Sequence, residues 1–82
     1  MTTAWVMLKT IKDMQDFVNL VSDYGCRMEL VARHQVINAK SIIGVLSMDI
    51  TKPLELRIYD GGKDIEEILQ QLKKYRIDGM DF

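Results

Sequence analysis

The segment Leu54–Tyr59 reads LELRIY, and its alternation is faultless: Leu54, Leu56 and Ile58 fall on one side of an extended chain, Glu55, Arg57 and Tyr59 on the other. A strand with one apolar side belongs to an antiparallel or mixed sheet covered on one face. Upstream, residues 27–33 (RMELVAR) put Met28, Leu30 and Ala32 on one side, and residues 35–39 form a second extended piece after a turn at His34, which suggests a hairpin. Residues 3–8 (TAWVML) are a short apolar run whose length favours a buried strand. Between these pieces the period lengthens. Ile11, Met14, Phe17, Val18 and Val21 share one helical face, Thr10 and Asp13 are spaced as a capping pair, and Tyr24-Gly25 closes the helix with a left-handed glycine. Ser41 opens a short helix in which Ile42, Val45 and Leu46 share one side while Ile43 lies off it, with Pro53 as the far boundary. Asp60-Gly61-Gly62 turns the chain into a last helix carrying Ile65, Ile68, Leu69, Leu72 and Tyr75 and ending near Arg76. Residues 77–82 have no period and are either docked or frayed. The order is βαββαβα. With helices confined to one sheet face, the fold class is α+β, an open-faced two-layer sandwich on a four-stranded antiparallel or mixed sheet.

Eighty-two residues make a single domain, 1–82, because a chain this short buries roughly 60–65% of its unfolded surface around one core. A formal net charge of -1 gives no electrostatic case for nucleic acid or an anionic membrane. The apolar runs are too short to span a bilayer, and the first ten residues lack a basic leader and a small-residue cleavage site, so the expected location is cytoplasmic. The single cysteine, Cys26, excludes an internal disulfide, and one cysteine with one histidine is too few for a Cys/His zinc site. No paired-carboxylate, Ser-His-Asp, P-loop or dinucleotide pattern is present, so neither an enzyme nor a cofactor or metal is expected.

Residues 38–50 (NAKSIIGVLSMDI) carry the most specific signal. The run Lys40-Ser41-Ile42-Ile43-Gly44-Val45-Leu46-Ser47-Met48 resembles the regulatory-serine segment of HPr, the small phosphocarrier family of the bacterial sugar phosphotransferase system, particularly its Gram-positive form. That resemblance implies the same order of elements and the same open-faced sandwich. It also implies a carrier histidine in a Gly-x-His-x-Arg-Pro motif before the first helix, where this chain reads Leu8-Lys9-Thr10-Ile11-Lys12-Asp13. Thr10 occupies the histidine position. A hydroxyl without an activating base is a weak nucleophile, and its phosphate ester lacks the lability of a phosphoramidate. Lys12 and Asp13 stand where the family has Arg and Pro; the lysine keeps a charge without the planar fork, and the aspartate competes with a phosphate at the helix end. Beyond the short helix, Asp49 and Lys52-Pro53 replace the glycine and small residues usual in the family.

Each singled-out residue has an ordinary structural role beside the functional one. Thr10 reads as a helix N-cap, His34 as an exposed turn residue, and Ser41 as an N-cap that the resemblance also makes a regulatory phosphorylation site, since a phosphate there meets free N–H groups. Ile42, Ile43, Leu46 and Met48 form the apolar patch by which the resemblance implies partner binding; the alternative buries Ile42 and Leu46 and leaves Ile43 with Met48 exposed. The overall expectation is an HPr-like regulatory or interaction module without the carrier histidine, in the pattern of the catabolite-repression (Crh-like) homologues. Its implied partners are proteins: HPr kinase, a transcriptional regulator or phosphotransferase components. The competing expectations are a phosphocarrier acting through another residue such as His34, and a small-molecule-binding α+β domain that shares only the architecture.

Overall fold

The structure, a computed structural model, describes residues 1–77. Its elements run β1 (Thr2–Val6), α1 (Ile11–Val21), β2 (Arg27–Ala32), β3 (Gln35–Asn38), α2 (Ile42–Leu46), β4 (Leu54–Tyr59) and α3 (Ile65–Gln71), with one 3-10 turn at Gly62–Asp64 leading into α3. The sheet order is β1-β4-β2-β3 and every pairing is antiparallel, which settles the choice between antiparallel and mixed. β4, central and strictly alternating, is the strand whose inward Leu54, Leu56 and Ile58 are fully buried.

Register puts those three opposite Val6, Ala4 and Thr2 of β1, and Leu56 and Ile58 opposite Leu30 and Met28 of β2. Met14, Phe17, Val18 and Val21 of α1, Val45 of α2 and Ile68 of α3 pack against them in the core, together with Leu8, Ala39, Met48, Leu72 and Tyr75 from the connecting segments. Phe17 meets Tyr75 edge-on, with ring centroids 6.0 Å apart. The opposite face of the sheet carries a self-contained polar lattice. The Arg57 guanidinium donates to Glu55 at 3.0 Å, the Tyr59 hydroxyl donates to Glu29 at 2.7 Å, and the Arg27 guanidinium lies 4.3 Å over the Tyr59 ring.

The β1 edge does not end the hydrogen-bonded array. Met7 N–H donates to Tyr75 O at 2.8 Å and Ile77 N–H donates to Trp5 O at 2.9 Å, with a bridge between Val6 and Arg76. Ile77 is therefore docked; the remainder of the aperiodic 77–82 tail lies outside the described residues.

Several local expectations are corrected. The first strand ends at Val6 rather than at residue 8. Gly25 is not left-handed: α1 stops at Val21, with the Ser22 hydroxyl donating back to Val18 O at 2.6 Å and two tight turns following. Ile11 is 61% exposed, because it is the first residue of α1 and lies one turn ahead of Met14, where that helix first meets the core. Pro53 does not bound α2, which ends at Leu46. The last helix is shorter than its apolar period, since residues 72–75 continue only as successive turns.

Met48 is the correction that bears on the site. It is 5% exposed, because Ser47 N–H and Met48 N–H bond back to Gly44 O and Val45 O, each at 3.1 Å, and the chain curls inward after α2. Leu46, expected on the buried side in the alternative reading, is 42% exposed.

Candidate functional site

Two helix starts and the surface of α2 hold the residues singled out by sequence. At the first, Thr10 is extended (φ -137, ψ 166) and its Oγ1 accepts from Asp13 N–H at 3.0 Å, while Asp13 Oδ2 accepts from Lys9 N–H at 3.0 Å. The two side chains thus satisfy one N–H inside the helix and one just before it, a shifted form of the reciprocal capping box. Asp13 places a carboxylate at the positive end of α1, where it disfavours any further anion. Lys12 reaches along the helix instead. Its Nζ pairs with Asp16 Oδ2 at 2.8 Å, and this hydrogen bond raises the lysine above its ordinary pKa and lowers the aspartate below its own. Histidine is missing from this helix start, its acidic neighbour is hydrogen-bonded in place, and its basic neighbour is committed elsewhere.

At the second start, Ser41 is half-buried and extended (φ -97, ψ 107), and its Oγ accepts from Gly44 N–H at 3.3 Å. The segment is fixed from both sides. Ser41 N–H donates to Asn38 O at 3.0 Å, the Asn38 side chain accepts from Lys40 N–H at 2.9 Å, and the Lys40 ammonium donates to Tyr24 O. Gly44 is required by closeness of approach: a Cβ there would stand 2.5 Å from Ile37 Cγ2 and 3.3 Å from Ser41 Oγ. Its bare α-carbon lets α2 lie on β3 and leaves room beside the hydroxyl.

From this short helix Val45 enters the core, Ile42 is half-buried against it, and Ile43 points outward at 80% exposure beside Leu46. The apolar surface of α2 is thus Ile43 with Leu46, and not Ile43 with Met48. α2 packs on α1, whose first residue, Ile11, is also exposed.

His34 stands exposed in the two-residue turn between β2 and β3, beside Arg33, which adopts a left-handed φ of 51. Sequence reasoning did not see that this turn and the loop of residues 49–53 enclose a pocket lined by Ala32, Arg33, His34, Gln35, Asp49, Lys52 and Pro53. The available signal was the Asp49-x-Thr51 spacing of an Asx turn followed by Lys52-Pro53. Among the described residues no group of three His, Cys, Asp or Glu side chains could hold a metal, and no helix is long and apolar enough to cross a membrane.

Comparison with known proteins identifies the fold and the family. HPr-C-His from Thermoanaerobacter tengcongensis superposes with a TM-score of 0.73 at 22% identity, covering 90% of this chain and 89% of its own. The phosphocarrier protein HPr from Bacillus anthracis superposes with a TM-score of 0.68 at 20% identity, covering 93% and 96%. At such identities the likeness establishes the fold. A search of curated proteins gives no match. The family model described as the PTS HPr component phosphorylation site matches residues 13–76, which is more than half of the chain, and the chain therefore belongs to the HPr family.

Proposed function

We propose that this domain is an HPr-family module without carrier chemistry, acting in the cytoplasm as a regulatory or interaction protein that is phosphorylated on Ser41 by a kinase of the HPr-kinase type. The observation that carries the reading is the first helix start. Thr10 there is a capping hydroxyl in place of an imidazole, Asp13 puts a carboxylate at the helix end, and Lys12 is paired with Asp16, so none of these three can form a labile phosphoramidate or offer a free cation to hold a phosphate in transit. At the α2 start, by contrast, Ser41 offers a hydroxyl next to first-turn N–H groups, and a dianion on it would sit beside the exposed Ile43 and Leu46. Phosphorylation would then change the charge next to an apolar docking surface and select among protein partners, such as a transcriptional regulator or phosphotransferase components, as in Crh-like homologues.

Mass spectrometry after incubation with HPr kinase and ATP, and in parallel with enzyme I and phosphoenolpyruvate, tests this. A stable phosphate on Ser41 in the first reaction and none in the second is expected. An acid-labile phosphate on His34 in the second reaction overturns the reading in favour of a carrier. Two variants sharpen it. Ser41→Ala is expected to cost about 0.5–1 kcal/mol in urea denaturation, the low end for an N-cap because its hydrogen bond is long, whereas Ser41→Asp keeps the cap and tests the charge. Thr10→His alone is expected to take up no phosphate from enzyme I, because Asp13 and the paired Lys12 leave the phosphate unsupported; full transfer in that variant would refute the argument.

A further inference from the structure

The pocket between the β2–β3 turn and the loop of residues 49–53 is built from parts the proposed function does not use. It encloses about 380 Å³, near the lower end of the range for small-molecule sites. Ala32 and Pro53 supply apolar wall, Gln35 and His34 supply hydrogen-bonding side chains, and Arg33 and Lys52 supply two cations from two different segments. Among the described residues neither cation forms an ion pair or a side-chain hydrogen bond, although Arg27, Arg57 and Lys12 do so with carboxylates on their own elements.

One carboxylate belongs to the same pocket, and it is fixed. Asp49 Oδ1 accepts from Thr51 N–H at 2.9 Å and from the Thr51 hydroxyl at 2.6 Å. Those two bonds, with the nearby charges of Lys52 and Arg33, hold Asp49 below the usual carboxylate range, so it is ionised and has acceptor capacity left. Two cations flanking one carboxylate disfavour a metal ion and favour an anion. Arg33 adds a backbone observation. It sits at φ 51, a conformation that Asp60, the other such non-glycine residue, tolerates by residue type but that an arginine does not favour. A turn that glycine would fill at lower strain thus holds a guanidinium at the pocket's rim.

We propose that this pocket binds a small hydroxylated organic dianion, in its simplest form a phosphate monoester of a short polyol, with Arg33 and Lys52 sharing the dianionic end and Asp49 accepting from a hydroxyl. Two cations against one carboxylate leave the pocket net positive and so favour an anion, and a planar guanidinium presents paired donors to phosphate oxygens. The fixed carboxylate then discriminates: a hydroxyl donor meets an acceptor, while a bare anion meets repulsion.

The test uses the intact protein, ¹⁵N-labelled, titrated with glycerol 3-phosphate, sulfate (a dianion with no hydroxyl) and glycerol. Glycerol 3-phosphate is expected to give saturable amide shifts confined to residues 32–35 and 49–52, at least tenfold tighter than sulfate, with none from glycerol. Lys52→Gln should weaken binding tenfold or more. Arg33→Gly should do the same while leaving the fold intact, since glycine accepts the left-handed turn, and this separates lost binding from lost structure. Asp49→Asn should narrow the gap between glycerol 3-phosphate and sulfate. Shifts that fail to saturate by about 20 mM, that scatter over all Lys and Arg neighbours, or that survive in Arg33→Gly and Lys52→Gln would overturn the proposal.

Discussion

Phe17→Ala is expected to remove about 3–5 kcal/mol of folding stability, the range for truncating a buried aromatic in a packed core. The side chain is fully buried at the middle of α1, it meets the Tyr75 ring edge-on, and Met14, Val18 and Val21 flank it on the same helix. Its loss removes apolar area and leaves a cavity in the core between α1 and Tyr75. A domain of this size holds roughly 4–12 kcal/mol in total, so the variant forfeits a large part of it and melts about 15–30 °C lower. Urea and thermal denaturation followed by far-ultraviolet circular dichroism measure the change. Fluorescence is the poorer probe, because the one tryptophan, Trp5, is 42% exposed on the open sheet face. A loss under about 1 kcal/mol would mean that the core refills the site and that Phe17 does not key α1 to the chain's last turns.

Ile43→Glu is expected to do the opposite: leave stability within about 0.5 kcal/mol and cut partner recognition. At 80% exposure Ile43 contributes little to the fold, so its cost to a partner dominates. On the proposed reading, in which a kinase of the HPr-kinase type docks on Ile43, withdrawing that isoleucine from the interface and placing a carboxylate there costs on the order of 1.5–3 kcal/mol, about tenfold to a hundredfold in the kcat/KM of Ser41 phosphorylation. Met48→Glu is the control. Met48 is core, so its substitution should show as unfolding rather than as a clean loss of recognition. Unchanged phosphorylation of Ile43→Glu would remove α2's outer surface from the docking site.

The sheet was legible because a period of two leaves no choice. Leu54, Leu56 and Ile58 can share a face only if the chain is extended there, and the structure buries all three. Helix starts were legible for a similar reason: Thr10 and Ser41 each have a side-chain oxygen placed to accept from the first turn, and both do. Helix ends were not. α2 is stopped by bonds from Ser47 and Met48 back to Gly44 and Val45, not by the distant Pro53, and the curl that follows turns Met48 inward and leaves Leu46 outside. Periodicity describes a helix that continues and is silent about the direction in which one unwinds. The pocket escaped for a different reason. Arg33-His34 and residues 49–53 are far apart in sequence, and only the antiparallel hairpin and the loop entering β4 bring them together.

The closing of the β1 edge has a consequence for how the molecule is made. β1 is made before both of its hydrogen-bonded neighbours, β4 on one side and residues 75–77 on the other, with Thr2 pairing with Ile58 and Trp5 bonding to Ile77. The α1–β2–β3 portion can begin to order as it emerges, but the nascent strand Thr2–Val6, with Trp5 and Val6, must wait without a partner until most of the chain has been translated. Such long-range closure slows folding and exposes an unpaired edge during the delay. The newly made protein is therefore expected to be most vulnerable to aggregation and proteolysis at β1, in the seconds before β4 and residues 75–77 pair with it.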